Sequence, residues 1–261
     1  MPSRLGTHVE VLLPGKRAVA EATRNRAGAT GPSKRATRSA MPQTQRSYVP
    51  AAGHDWLLPF YDPITKVMGG ESLHRQLIDQ AQLQPGQRVL EIGCGTGSLT
   101  TLVKRLCPAV DVVGLDPDPK ALDRARRKAE RYRVSIALDR GFSDALHYPD
   151  ASYDRVLSAL MFHHLDRDEK MQSLSEVRRV LKPNGSLHLL DFGGTGDRSD
   201  GFLAHLLHRS EHLRDSTGEA VLSLMRAAGF ADATEVAQQR TIFGRIACYR
   251  AVKPPAVGTG T

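Results

Sequence analysis

Cysteine, long apolar runs and, over the first fifty residues, acidic side chains are all scarce in this chain of 261 residues. The three cysteines, Cys94, Cys107 and Cys248, are scattered, odd in number and not at metal-ligand spacing. A disulfide framework or a zinc site is therefore not expected, and a reducing, cytoplasmic compartment fits best. No stretch approaches the roughly 20 consecutive apolar residues of a membrane-spanning helix. The scarcity of acid is local. Residues 1–50 hold nine basic side chains against Glu10 and Glu21, a net +7 out of +8 for the whole chain. The remainder is close to neutral, which argues against a broad nucleic-acid-binding face on the folded part.

What is present divides the chain into three. Residues 1–50 are rich in Arg, Ala, Thr, Gly and Ser, a composition that cannot bury enough surface to offset its ordering entropy. Three readings of this basic extension stand: an organelle-targeting leader, an arm for RNA or anionic lipid, and a non-functional extension ahead of a start at Met41. Residues 51–252 are expected to form one domain. It opens with a helical cap at about 54–83, where Trp56, Phe60 and Tyr61 are concentrated. Lid helices are expected at about 197–228. Residues 253–261 read as a flexible tail.

Within the domain, apolar runs alternate with helical patterns. Strands are expected at Arg88–Ile92, Val110–Leu115, Val134–Leu138, Asp154–Ala159 and Ser186–Asp191, the last entered through the turn Lys182-Pro183-Asn184-Gly185. Helices are expected at Ser98–Cys107, Pro119–Tyr132 and Glu169–Leu181. Repeated strand–helix units mean an α/β fold with a doubly wound, mostly parallel sheet. Two further helices, Gly201–Asp215 and Glu219–Ala228, precede Ala231–Ala237 and Arg245–Val252, which read as a closing antiparallel pair around Phe243-Gly244. The whole is a seven-stranded, Rossmann-like sheet.

The chain is organised around Val89-Leu90-Glu91-Ile92-Gly93-Cys94-Gly95-Thr96-Gly97-Ser98-Leu99, an apolar run that meets three glycines in five residues and then a helical pattern. On a parallel sheet such a turn lies at the carboxyl end of the first strand, where nucleotide-type ligands bind. Two acidic residues narrow the ligand. Glu91 stands just before the glycines, and Asp116 closes the second strand, where it can accept from both ribose hydroxyls. A carboxylate beside the loop repels a pyrophosphate and suits a cation. S-adenosylmethionine carries an ammonium and a sulfonium and no phosphate, so the charge pattern favours it over a dinucleotide.

Residues from about 54 to 250 resemble the class I S-adenosylmethionine-dependent methyltransferases, and within them the small-molecule methylases of the ubiquinone/menaquinone-biosynthesis type. The motifs that carry the resemblance are Val89–Gly97, Val113-Gly114-Leu115-Asp116, Tyr148-Pro149-Asp150-Ala151-Ser152-Tyr153-Asp154 and Leu181–Leu187. It implies that Gly93, Cys94, Gly95 and Gly97 form the loop around the methionine part, with Glu91 behind them. It also implies Asp116 at the ribose, Pro117 near the adenine, and Ser158 facing the methyl donor. The adenine-edge loop departs from the family pattern, since Phe142 stands where an Asp is usual. Either Asp144 takes over the adenine amine, or Ser143 and Phe142 hold the ring.

For catalysis, one histidine of His163-His164 is expected at the mouth of the cleft while the other packs, and His163 is the candidate general base. His205, His208 and His212 share a helical face, but no cysteine or carboxylate pattern supports a metal there. The expected partner is a small-molecule methyl acceptor such as a quinol, phenol or lipid, with the protein a monomer or homodimer. A protein or RNA methylase and a non-catalytic cofactor-binding protein are the rival classes. The Asn/Asp-Pro-Pro-Tyr motif of base-amine chemistry is absent after the fourth strand, where Ser158-Ala159-Leu160-Met161 stands instead.

Overall fold

The computed structural model describes residues 70–193, 218–241 and 244–256, all within the second of the two units into which the chain divides, Met41–Thr261. The basic extension, Trp56, Phe60, Tyr61 and the His205/His208/His212 face lie outside the described residues.

The elements are α1 (Gly70–Ala81), β1 (Arg88–Ile92), α2 (Ser98–Leu106), β2 (Asp111–Asp116), α3 (Pro119–Tyr132), β3 (Ala137–Arg140), β4 (Tyr153–Ala159), a 3-10 turn (Phe162–His164), α4 (Arg167–Val180), β5 (Leu181–Phe192), α5 (Gly218–Ala227), β6 (Ala231–Thr241) and β7 (Gly244–Val252). The strands form one sheet in the order β3-β2-β1-β4-β5-β7-β6. The first five are parallel, and β7 runs antiparallel to both β5 and β6. The chain leaves β1 for β2 and β3 on one side and returns to β4 on the other. The topological switch point, where such sheets bind ligands, is therefore between β1 and β4.

Alternation along β1 divides the core. Leu90 and Ile92 join Val113, Val156, Leu187 and Leu189 against Leu174 and Val177 of α4 and Val221 and Met225 of α5. Val89 faces the opposite layer with Val112, Leu157 and Leu190, against Leu73, Leu77 and Ile78 of α1 and Leu99, Leu102 and Val103 of α2. Period-2 strands between amphipathic helices give a sheet buried on both faces.

Helix ends follow their sequence signals. Asp118 caps α3 by accepting from Lys120 N at 2.8 Å, with Pro119 in the first turn. Asp166 and Glu169 form a reciprocal capping box at α4. Gly97 caps α2 at φ 72°, and a Cβ there would lie 2.7 Å from Ala125 Cβ on α3. Gly97→Ala therefore carries both a left-handed-backbone penalty and an overpacked contact. We expect it to lose about 3 kcal/mol in urea unfolding at unchanged m-value. A loss below about 1 kcal/mol would mean that α2 and α3 can move apart at little cost.

Three boundaries differ by three residues or more from the sequence expectation. β3 begins at Ala137 rather than Val134, because Arg133 adopts φ 55° and Val134 N still bonds Ala129 O at the end of α3. β5 begins at Leu181, which pairs with Tyr153, and Lys182–Gly185 bulge out before Ser186 pairs with Arg155. The Lys182 ammonium donates to both carboxylate oxygens of Asp154 at 2.9 Å, which ties that bulge to β4. β6 continues to Thr241 instead of stopping at Ala237, its ladder with β7 running to Gly244.

Candidate functional site

Loop geometry at the end of β1 is set by hydrogen bonds from the neighbouring strand. The N–H groups of Gly93 and Cys94 both donate to Leu115 O, at 2.8 and 3.0 Å, and Gly97 N closes the turn on Cys94 O at 2.8 Å. Gly93 has φ 68°, and a Cβ there would sit 2.3 Å from Met161 Cγ. Glycine is required at this point because the loop and the β4 exit approach too closely for a side chain.

Asp116 organises the loop from β2. Its Oδ2 accepts from Gly95 N at 2.8 Å and its Oδ1 from Asp118 N at 2.9 Å. Glu91 accepts from the Thr100 hydroxyl on α2. Both carboxylates are buried. Burial pushes Glu91 up to about 8, opposed by the Thr100 hydrogen bonds and reinforced by the charge of Asp116. Burial also raises Asp116, to about 6, against the donation of Asp118 and Gly95. The Cys94 thiol is held well above its ordinary range by burial and by Glu91 and Asp116. It is a neutral packing group, not a nucleophile.

These residues line a cavity of about 390 Å³ with two halves. One half is walled by Glu91, Gly93, Cys94, Gly95, Asp116, Pro117, Phe142 and Ser143. The other takes Leu160 and Met161 from beyond β4, His164 and Leu165 from the turn, Asp166 and Glu169 from the start of α4, and His74 from α1. Leu160, on the cavity wall, has φ 54°, a strained conformation for a residue with a Cβ. The volume falls in the range of small-molecule sites.

Eight of the candidate cofactor residues thus share one wall; four candidates do not reach it. Gly97 is spent as the cap of α2 against Ala125. Ser158 is fully buried and lines a separate small void with Ile92, Phe162 and Leu174. Asp144 is off the wall, whereas Phe142 and Ser143 are on it, with Ser143 Oγ held by Ser173 Oγ at 2.8 Å. Of the two readings of the adenine-edge loop, the geometry favours Phe142 and Ser143. His163 is behind the wall that His164 forms.

His163 has a partner that carries no signal in the sequence. Its Nδ1 lies 2.6 Å from Asp191 Oδ1, and its backbone N–H donates to Asp191 Oδ2 at 3.0 Å. Asp191 Oδ1 also accepts from Phe192 N at 2.7 Å. The His163 ring stacks at 4.0 Å on His164 and meets Phe192 edge-on at 4.8 Å. Burial opposes the charge of Asp191, but His163 and the backbone N–H groups outweigh it and hold this carboxyl below the usual range. Among the described residues no group of three or more His, Cys, Asp and Glu is placed to hold a metal ion. Nor is any described helix long and apolar enough to cross a membrane.

The donor set decides which ligand the first half fits. Two buried carboxylates flank the glycine loop, and the nearby Lys128 ammonium donates to Thr96 and Ser98 hydroxyls at 3.1 and 2.7 Å. A pyrophosphate would oppose ionisation of these two carboxyls, whereas a cationic nucleoside without phosphate favours it.

Comparison with known proteins agrees. Residues 89–185 match the family model described as a methyltransferase domain. A demethylmenaquinone methyltransferase of Deinococcus radiodurans is 36% identical over 139 residues, 52% of this chain and 57% of that protein. One from Thermus thermophilus is 34% identical over 139 residues, 52% of this chain and 62% of that protein. The chain thus spans about three-fifths of the length of these curated relatives. Among solved structures, phosphoethanolamine N-methyltransferase 2 of Haemonchus contortus, bound to phosphomonomethylethanolamine and S-adenosylhomocysteine, superposes with a TM-score of 0.65. It is 17% identical, covering 78% of this chain and 58% of that one. The fold is that of the Rossmann-like methyltransferases.

Proposed function

We propose that this chain, which carries a class I S-adenosylmethionine-dependent methyltransferase domain of the ubiquinone/menaquinone type, transfers a methyl group from S-adenosylmethionine to a small-molecule acceptor. The observation that carries the reading is the pair of buried carboxylates, Glu91 and Asp116, beside a glycine loop in a cavity large enough for a small molecule. When bound, S-adenosylmethionine supplies a methyl carbon already activated by its sulfonium, so the protein needs to orient and desolvate rather than to activate the donor.

Each wall then has a task. Asp116 accepts from the ribose hydroxyls, its orientation fixed by Gly95 and Asp118. Gly93, Cys94 and Gly95 leave room for the methionine part, and Glu91 balances its positive charge. Pro117, Phe142 and Ser143 pack on the adenine. The half lined by Leu160, Met161, His164, Leu165 and His74 takes the acceptor. The demethylmenaquinone methyltransferases among the relatives support an acceptor of the hydroquinol or phenol type. A near-neutral body supports a small molecule over a nucleic acid.

Titration calorimetry tests the cofactor assignment. S-adenosylmethionine is expected to bind in the micromolar range, and NAD to give no heat at the same concentrations. Binding of NAD in preference to S-adenosylmethionine would contradict the reading.

A further inference from the structure

We propose that the outer face of α3, with the ends of α2 and α3 beside it, docks the domain on a membrane surface that carries anionic phospholipid headgroups. No residue of α3 lines the cavity, so the docking is independent of the methyl-transfer reading.

α3 carries six basic side chains against Asp123 and Glu130. Ala121, Leu122, Ala125 and Ala129 are its buried side. At 3.6 residues per turn, Lys120, Arg124, Arg127 and Arg131 (i, i+4, i+7 and i+11) fall within about 60° of one another on the opposite side, along about 16 Å of helix. Lys120, Arg127 and Arg131 are exposed and Arg124 is half-buried. The other two basic side chains are engaged within the fold. Arg126 pairs with Asp123, and the Lys128 ammonium turns to Thr96 and Ser98.

This stripe is unlike the rest of the described surface. Exposed arginines of other elements are paired, Arg75 with Glu71, Arg88 with Asp111 and Arg226 with Glu219, whereas Arg124, Arg127 and Arg131 have no ion pair among the described residues. It also works against the helix that carries it. Side chains three and four apart meet on a helix surface, and like charges there are destabilising. Lys120–Arg124, Arg124–Arg127 and Arg127–Arg131 are three such pairs in succession. Folding does not require them, and an external surface rich in phosphate offsets their repulsion.

Two apolar side chains single out a bilayer among anionic partners. Among the described residues the exposed large hydrophobic side chains are Leu106, Tyr132 and Val236. The first two are the last residues of α2 and α3, and the Arg105 guanidinium, over the Tyr132 ring at 4.4 Å, brings those helix ends together. An aliphatic and a phenolic side chain among arginines suit the headgroup level of a bilayer, where apolar atoms are buried while the cations stay with the phosphates. A nucleic-acid backbone gains nothing from Leu106, and Arg105 already covers one face of the ring on which a base would stack.

The basic side chains of residues 1–50 are drawn to the same surface by charge, so the test changes only α2 and α3 in the full-length protein. It is sedimented with vesicles of phosphatidylcholine alone and of phosphatidylcholine and phosphatidylglycerol in equal parts. Binding is expected to the mixed vesicles only, and to weaken as salt is raised. Each basic residue near an anionic surface contributes a factor of about five. Arg124→Gln, Arg127→Gln and Arg131→Gln together should therefore weaken binding at least about thirtyfold, with thermal unfolding at about the wild-type temperature. Leu106→Asn, which leaves the charges in place, should weaken it about threefold or more. If the triple variant does not fold, Arg127→Gln and Arg131→Gln are measured singly, each with an expected loss of about fivefold. Failure of the wild type to bind mixed vesicles overturns the inference. Equal binding by the arginine variants assigns the attraction to residues 1–50 and also overturns it. Unchanged vesicle binding by Leu106→Asn, with weaker binding of single-stranded RNA by the arginine variants, would mean a nucleic-acid face and contradicts the membrane.

Discussion

Asp116→Ala is expected to bind S-adenosylmethionine at least about a hundredfold more weakly than the wild type. On the proposed reading the variant loses the acceptor of both ribose hydroxyls, and hydrogen bonds to a charged, buried group are worth about 1.5–3 kcal/mol each. It also frees the N–H groups of Gly95 and Asp118, which the carboxylate holds at 2.8 and 2.9 Å. The loop would then lose its register on β2 as well as its ligand contact. Asp116→Asn separates the two effects. The amide keeps the shape and one acceptor oxygen, so a loss of about tenfold is expected, one charge-assisted bond's worth. Calorimetric titration of the three proteins checks this, and equal affinity in wild type and Asp116→Ala would remove Asp116 from the site.

The second large effect is a dependence of cofactor affinity on pH. Without ligand, Glu91 is raised to about 8 and Asp116 to about 6, so below those values each holds a proton that a cationic ligand must displace. Affinity for S-adenosylmethionine should therefore rise with pH up to about 8, by as much as about tenfold per unit where one proton is released. Calorimetry in buffers of different ionisation heat measures that release. Glu91→Gln keeps the Thr100 hydrogen bond but not the charge. Its affinity should be weaker at high pH and much flatter across the range.

The same two groups give the opposite slope to the ligand-free fold. Each binds its proton more tightly folded than unfolded, so the stability they contribute is fully present below the ordinary carboxylate range. It is lost as pH rises through about 6 for Asp116 and about 8 for Glu91. Thermal unfolding of the wild type, ligand-free and saturated, should therefore diverge as pH rises. A constant gap would mean that neither carboxylate is linked to the ligand.

Much of this site is legible in the amino-acid sequence, for a local reason. Gly93–Gly97, Glu91 and Asp116 sit within or at the ends of two strands that a buried apolar run and a glycine cluster delimit, so position along the chain dictates position in space. The residues of the other half of the cavity obey no such rule. Asp191 meets His163 only because β4 and β5 are neighbours, and an aspartate closing an apolar strand carries no sign of what lies across the sheet. His74 reaches the cavity from α1, whose Leu73, Leu77 and Ile78 read simply as a core face. The histidine pair is legible as one wall residue and one packed residue. Which is which depends on a 3-10 turn that aims His164 at the cavity and His163 at Asp191. Asp144 illustrates the reverse case. Carboxylate identity makes it attractive, but the loop after β3 presents Phe142 and Ser143 to the cavity instead.

Whether this cavity holds S-adenosylmethionine for transfer to a small molecule is tested most directly by following the methyl group. The full-length protein is incubated with methyl-labelled S-adenosylmethionine and a cell extract, and the mixture is partitioned into organic solvent. Label is expected in the organic, small-molecule fraction with the wild type and absent from it with Asp116→Ala. Label that stays in S-adenosylmethionine, or that moves to protein or RNA instead, would contradict this function.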